Sequence, residues 1–130
     1  MGVPKRILIV DDEEGVLFVL RNTLIKLGSE YEIVTAHDGR EGWDMAREAP
    51  FDLVITDLRM PVMSGLELTE ALKTSRPDTT VIWMTAHSFF GTDEDAARLA
   101  VYRCLEKPLA VTEIRQVARE ALQGNGDARL

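Results

Sequence analysis

Short, wholly apolar runs alternate with longer amphipathic ones along this chain, and that alternation admits few folds. Ile7, Leu8, Ile9 and Val10 are apolar at consecutive positions, as a strand covered on both faces must be. Val16, Leu20, Leu24 and Leu27 then recur at helical spacing, and Gly28 supplies a stop. Tyr31 to Ala36 reads as a second strand, Asp38-Gly39 as a turn, and Gly42 to Ala49 as a short helix ended by Pro50. Leu53, Val54 and Ile55 form a third strand, followed by a helix on Leu66, Leu68, Ala71 and Leu72 that Arg76-Pro77 closes. Thr79 to Met84 is a fourth strand, and a short helix through Leu99 follows it. Val101 to Leu105 is a fifth, less apolar strand. Val111, Ile114, Val117, Ala118, Ala121 and Leu122 mark a last amphipathic helix. Five β-α units in strict order predict an α/β fold: a doubly wound, five-stranded parallel sheet with helices on both faces.

A chain of 130 residues, 45% hydrophobic, suits one domain with a single core. Residues 1–123 are expected to form that domain, with 124–130 a polar tail or the start of a linker. A formal charge of -7 and the lack of a basic tract disfavour direct nucleic-acid binding. No apolar run approaches the roughly 18 residues of a membrane span, so a cytoplasmic location is expected. Cys104 is the single cysteine, allows no internal disulfide, and reads as a buried small hydrophobe.

In an open parallel sheet, ligands bind where the loops diverge from the strands' carboxyl ends. The first strand ends in Asp11 and Asp12, the third in Asp57, the fourth in Thr85, and the fifth runs into Lys107. Three converging carboxylates repel one another, and an oxygen-seeking divalent cation relieves that repulsion. Magnesium fits, because it accepts a few carboxylates together with waters and phosphate oxygens. Lys107 offers a positive charge and Thr85 a hydroxyl, the groups a phosphoryl transition state needs around its oxygens. Asp57 offers the nucleophile, since a carboxylate accepts phosphoryl to give an acyl phosphate. Each residue alone has a plainer reading. Asp11, Asp12 and Glu13 would cap the first helix, Asp57 would serve a turn, Thr85 would be an ordinary strand residue and Lys107 a solvated lysine. Four strand ends carrying mutually useful groups are what tips the balance.

From Lys5 to about Gln123 the chain resembles the receiver domain of two-component response regulators. The matching pieces are ILIVDDE, VITDLRMPVMSG around Asp57, MTAH with Thr85 and EKPL with Lys107, in the family's order and spacing. The resemblance implies the flavodoxin-like strand order 2-1-3-4-5. It implies that a sensor histidine kinase or a histidine phosphotransfer protein donates phosphoryl to Asp57. It also implies that Asp12, Asp57 and the backbone carbonyl of Arg59 bind Mg2+ directly, that Asp11 helps through water, and that Lys107 and Thr85 contact the phosphoryl group. The signal would then leave through a conformational change of the face made by the fourth helix, fifth strand and fifth helix, where a homodimer could also form.

Two positions depart from the family's pattern. Cys104 stands where relatives carry a switching aromatic, and Ala100 where they often have glycine. Tyr102, two residues before Cys104 in a strand, shares its face and is either a partial substitute or a surface aromatic. His87 is read as a loop residue rather than a relay histidine, Trp43 and Trp83 as packing, and Met60 and Met63 as loop packing around Pro61. A magnesium-dependent phosphatase is the enzyme-class alternative, but Leu58-Arg59 leaves no second acid two residues after Asp57. An interaction module that is never phosphorylated is the other alternative, and the intact set of acids, Thr85 and Lys107 speaks against it.

Overall fold

The computed structural model describes residues 4–86 and 92–127. His87, Phe89 and Phe90 lie outside them. The elements run β1 (Lys5–Val10), α1 (Glu14–Ile25), β2 (Tyr31–Ala36), α2 (Gly39–Glu48), β3 (Leu53–Asp57), α3 (Gly65–Ser75), β4 (Thr80–Thr85), α4 (Thr92–Arg98), β5 (Arg103–Glu106) and α5 (Val111–Asp127). All strands are parallel, in the order β2-β1-β3-β4-β5. The doubly wound α/β fold and the order 2-1-3-4-5 are therefore as expected.

The alternation of side chains along each strand divides the core in two. Ile7, Ile9, Ile55, Ile82 and Met84 face α1 and α5, meeting Leu20, Leu24, Ile114 and Ala118. Leu8, Val10, Val54, Val81 and Trp83 face the other way, toward Leu68 and Leu72 of α3 and Leu99 just after α4. Ile7 to Val10 are wholly buried because β1 has strands on both sides and helices on both faces.

Differences from the sequence pattern have local causes. Asp38-Gly39 is a helix start and not a turn: the Asp38 carboxylate accepts the Glu41 N–H at 2.8 Å, so α2 begins at Gly39 instead of Gly42. Cys104 is exposed, contrary to the buried position expected for it. It lies on the edge strand β5, where only Leu105 is buried. Tyr102 is 39% exposed, a surface aromatic, with the Arg103 guanidinium over its ring. The backbone of α5 stays helical to Asp127, through residues expected to form a polar tail. Gly124 and Gly126 are weak helix formers, yet a penalty of about 1 kcal/mol each does not forbid helix.

β5 starts at Arg103 rather than Val101 because the preceding residues close α4. The Val101 N–H reaches back to the Ala96 carbonyl at 2.9 Å and the Ala100 N–H to the Ala97 carbonyl at 3.2 Å, with Ala100 at φ +55°. That is a Schellman motif, whose left-handed residue is usually glycine. Ala100 thus performs the glycine's task at a steric cost of about 1 kcal/mol.

Candidate functional site

The parallel register levels the carboxyl ends of the central strands. Val10 is opposite Thr56, Asp57 opposite Met84 and Thr85 opposite Glu106. Asp11, one residue past Val10, therefore stands beside Asp57. Asp11 is fully buried and Asp57 is 8% exposed, whereas Asp12 is exposed at the rim. Ligand-capable oxygens of Asp11, Asp12 and Asp57 all lie within 4.8 Å of one another. Lys107 reaches in from beyond β5, with Nζ at 2.8 Å from Asp11 Oδ2 and 3.4 Å from both Asp57 Oδ2 and Glu13 Oε1. Its backbone N–H donates to the Thr85 carbonyl at 2.7 Å, which ties the lysine's loop to the end of β4. Thr85 itself is buried.

The carboxylates do more here than cap a helix. No side chain caps α1, and Asp11 instead accepts the Glu13 N–H at 2.9 Å and the Lys107 ammonium. Burial raises the Asp11 pKa, and its bonds to Lys107 and Glu13 offset only part of that. Burial also raises Asp57, reinforced by the Asp11 charge and opposed by Lys107 and the Arg59 N–H. Burial works against the Lys107 charge, but the hydrogen bond to Asp11 and the surrounding carboxylates outweigh it and hold the ammonium above its ordinary pKa. One cation thus serves three carboxylates, and the group is left electrostatically short of positive charge.

Asp12, Glu13, Asp57, Arg59, Thr85, Ala86 and Lys107 line a cleft of about 410 Å³. Every residue picked out for the site from the sequence thus gathers at one place: Asp57, Thr85, Lys107, Asp12 and Arg59 on the cleft wall and Asp11 directly beneath. The sequence pattern missed a role for Glu13, whose carboxylate also meets Lys107. Its position directly after Asp11-Asp12 was the available signal. An apolar recess of similar size, about 420 Å³, between α1 and the start of α5, adjoins the cleft through Ala86 and Lys107.

The loop behind Asp57 is tightly built. The Thr56 hydroxyl donates to the Asp57 carbonyl at 2.9 Å. Met63 N–H bonds the Pro61 carbonyl at 2.7 Å across Val62, whose φ of +72° makes this the rarer, strained kind of γ-turn. Ser64 and Glu67 form a reciprocal capping box that starts α3. Gly65 passes so close to β3 that an added Cβ would lie 2.0 Å from the Asp57 carbonyl oxygen and 2.9 Å from Leu58 Cα. Gly65→Ala is therefore expected to destabilise the protein by about 2–4 kcal/mol, through backbone displacement at the acceptor. A melting midpoint within a degree of the parent protein would show that the loop yields freely.

The sequence model described as the response regulator receiver domain matches residues 7–119. The chain is a response regulator receiver domain. It is 34% identical over 125 residues to the transcriptional regulatory protein GlrR of Escherichia coli K12, covering 96% of this chain and 28% of that protein. It is 34% identical over 119 residues to the DNA-binding transcriptional regulator NtrC of Azospirillum brasilense, covering 92% and 24%. The chain thus spans about a quarter of the length of these curated relatives. Among solved structures, a CheY-like receiver domain from Methanospirillum hungatei superposes with a TM-score of 0.89 at 26% identity, covering 96% of this chain and 98% of that one. The response regulator TrrA of Thermotoga maritima, solved in complex with Mg2+-BeF, superposes with a TM-score of 0.80 at 33% identity, covering 91% and 99%.

Receiver domains are signalling domains rather than conventional enzymes, take part in two-component systems and bind Mg2+ at an acidic cluster. This receiver domain's donor set suits that ion: all-oxygen, carboxylate-rich, compact and short of positive charge. No helix among the described residues is long and apolar enough to cross a membrane.

Proposed function

We propose that Asp57 is the phosphoacceptor, charged by a sensor histidine kinase or a histidine phosphotransfer protein. The observation that carries this reading is the compact trio of Asp11, Asp12 and Asp57 with the Lys107 ammonium set between Asp11 and Asp57. An Asp57 carboxylate oxygen bonds to phosphorus as the phosphorus–nitrogen bond of the donor's phosphohistidine breaks, and the departing imidazole keeps the electron pair. Lys107 meets the negative charge on the transferred oxygens, and the Thr85 hydroxyl donates to one of them. Asp12, Asp57 and the Arg59 carbonyl would hold Mg2+, with Asp11 assisting beside them. The ion, when bound, neutralises the carboxylates and the phosphoryl oxygens together. Attack of water on the same phosphorus returns the carboxylate, so the domain also catalyses its own dephosphorylation.

The output follows from the same charge. Phosphoryl at Asp57 draws on Thr85 and Lys107, which end β4 and follow β5, so the α4-β5-α5 face is the surface placed to change and to form a homodimer. With Cys104 exposed on β5 and Tyr102 exposed just before it, no aromatic ring among the described residues of this strand fills the usual switching position, and coupling across this face is weaker for it. Direct nucleic-acid contact is no part of the role of this acidic chain, and the site of action is cytoplasmic.

Intact mass after incubation with acetyl phosphate and Mg2+ tests the core of this reading. One phosphoryl group is expected on the parent protein and none on Asp57→Ala or in the presence of a chelator. A modified Asp57→Ala protein would overturn the assignment.

A further inference from the structure

The geometry points to Thr69, held by Trp83, as a positioning residue for the phosphoacceptor, an inference that rests on the reading of Asp57 given above. Thr69 lies one helical turn into α3, fully buried, and touches none of the reacting groups. Its hydroxyl donates to the Gly65 carbonyl at 2.7 Å, an ordinary back-bond between helical residues four apart. What sets it apart is the other side of the oxygen, which accepts the Trp83 indole N–H at 2.8 Å from the middle of β4.

These two bonds complete a circuit. The Gly65 N–H donates to the Leu58 carbonyl at 2.9 Å, and the Leu58 N–H donates to the Met84 carbonyl, beside Trp83, at 3.0 Å. The path therefore leaves β4 at Met84, crosses to the residue after Asp57, passes to the first residue of α3, and returns through Thr69 to Trp83 in β4. The loop from Leu58 to Gly65 is enclosed by it, and that loop carries Arg59 into the cleft. Gly65 at the corner presses on the Asp57 carbonyl itself, as its lack of room for a Cβ shows.

Every member of the circuit is buried, Trp83 at 1% exposure and Leu58 at 9%. A buried donor that loses its acceptor must find another or bear the desolvation penalty, so the circuit closes as a unit. It also resists the strain stored at Val62 within the same loop. Removing the Thr69 hydroxyl leaves the Trp83 indole N–H without its acceptor and takes from the Gly65 carbonyl the donor that links it to β4, the bond within the α3 ladder remaining. The loop is then free to relax, and the carboxylate at its root loses its fixed bearing on Lys107, Thr85 and the metal ligands. Chemistry of this kind depends on positioning to within a fraction of an ångström.

The test compares the parent protein with Thr69→Val, which keeps the shape, Thr69→Ser, which keeps the hydroxyl, and Trp83→Phe, which removes the donor from the far side. Circular dichroism melts establish the temperature at which each is folded. Mg2+ affinity and the rate of phosphorylation by saturating acetyl phosphate are then measured, alongside the indole N–H signals of 15N-labelled protein. Thr69→Val and Trp83→Phe are expected to slow phosphorylation about three- to tenfold and to weaken Mg2+ binding, and Thr69→Ser to restore both. The Trp83 indole signal, told apart from that of Trp43 by the Trp83→Phe variant, is expected to move when Mg2+ and beryllofluoride are added to the parent protein. Equal rates and Mg2+ affinities in all four proteins would overturn the proposal. So would a loss in Thr69→Ser as large as that in Thr69→Val, since keeping the hydroxyl would then make no difference. If the parent protein takes no phosphoryl group, the phosphoacceptor reading fails by itself, and Mg2+ affinity across the four proteins still decides whether Thr69 positions the site.

Discussion

Asp57→Asn is expected to raise the stability of the magnesium-free protein at neutral pH by on the order of 1 kcal/mol while abolishing phosphorylation. Burial and the neighbouring Asp11 charge both raise the Asp57 pKa in the folded state, so the folded chain binds a proton that the unfolded chain has already released. Stability must then fall as pH rises from about 3.9, the ordinary value for aspartate, through the raised folded value. Above that window the parent protein carries the full penalty of the charged group, and Asn carries none. Magnesium reverses the ranking, because a ligand bound only by the folded state stabilises it by about 2.7 kcal/mol at a hundredfold excess over its Kd. The parent protein is expected to gain most of that increment and the variant little. Urea titrations at pH 7, with and without Mg2+, measure all four stabilities. A variant less stable than its parent in chelator would mean that Asp57 is held by favourable contacts rather than confined by unfavourable ones.

Lys107→Met is expected to have the opposite sign and a larger size, about 2–4 kcal/mol of destabilisation without magnesium. The ammonium lies 2.8 Å from a carboxylate with no exposure at all, and its own side chain is 16% exposed. Taking it away leaves Asp11 and Asp57 buried together without a cation, which is much costlier than the pair itself is favourable. If the same carboxylates hold Mg2+, its addition is expected to recover most of the loss. Combining Lys107→Met with Asp57→Asn is expected to be milder than the sum of the two, as the repelling charge has gone. Strictly additive effects in chelator, with no recovery in Mg2+, would make Lys107 a packing residue whose charge is incidental. In the phosphorylated state the missing ammonium no longer meets the phosphoryl oxygens, so the response at the α4-β5-α5 face weakens even where stability is restored.

Ile7 to Val10 and Leu53 to Ile55 could be recognised as strands because both faces of a central parallel strand are covered, which leaves no polar position to blur the run. That the candidate site residues would gather was legible for a related reason: parallel strands all point the same way, so the residues following successive apolar runs come to one edge. Cys104 shows where such reasoning stops. Whether a strand residue is covered depends on which strand lies at the edge and how much helix lies over it, and neither is written in four residues. Val101 and Tyr102 looked like the start of β5, yet Val101 is spent on closing α4. The bond between Thr69 and Trp83 has no local signal, because a threonine inside an apolar helical face resembles any small buried residue. It becomes visible only when α3 is laid on β4.

Ala100 bears on how the domain opens. α4 has seven residues, too few to persist unaided, and is secured to the body by Leu99, by Ala96 and Val101 packed against the core, and by an exposed ion pair from Arg98 to Glu70 of the kind worth little in water. Its C-terminal clasp also depends on an alanine in a left-handed conformation that glycine would adopt at little cost. The strain is relieved as soon as the clasp lets go. Backbone amides there should exchange with solvent through excursions far smaller than global unfolding, while those of Ile7 to Val10 wait for the whole sheet to open. A helix with so shallow a hold is expected to let go long before the sheet does, and exchange at residues 96 to 101 as slow as that of Ile7 to Val10 would count against it.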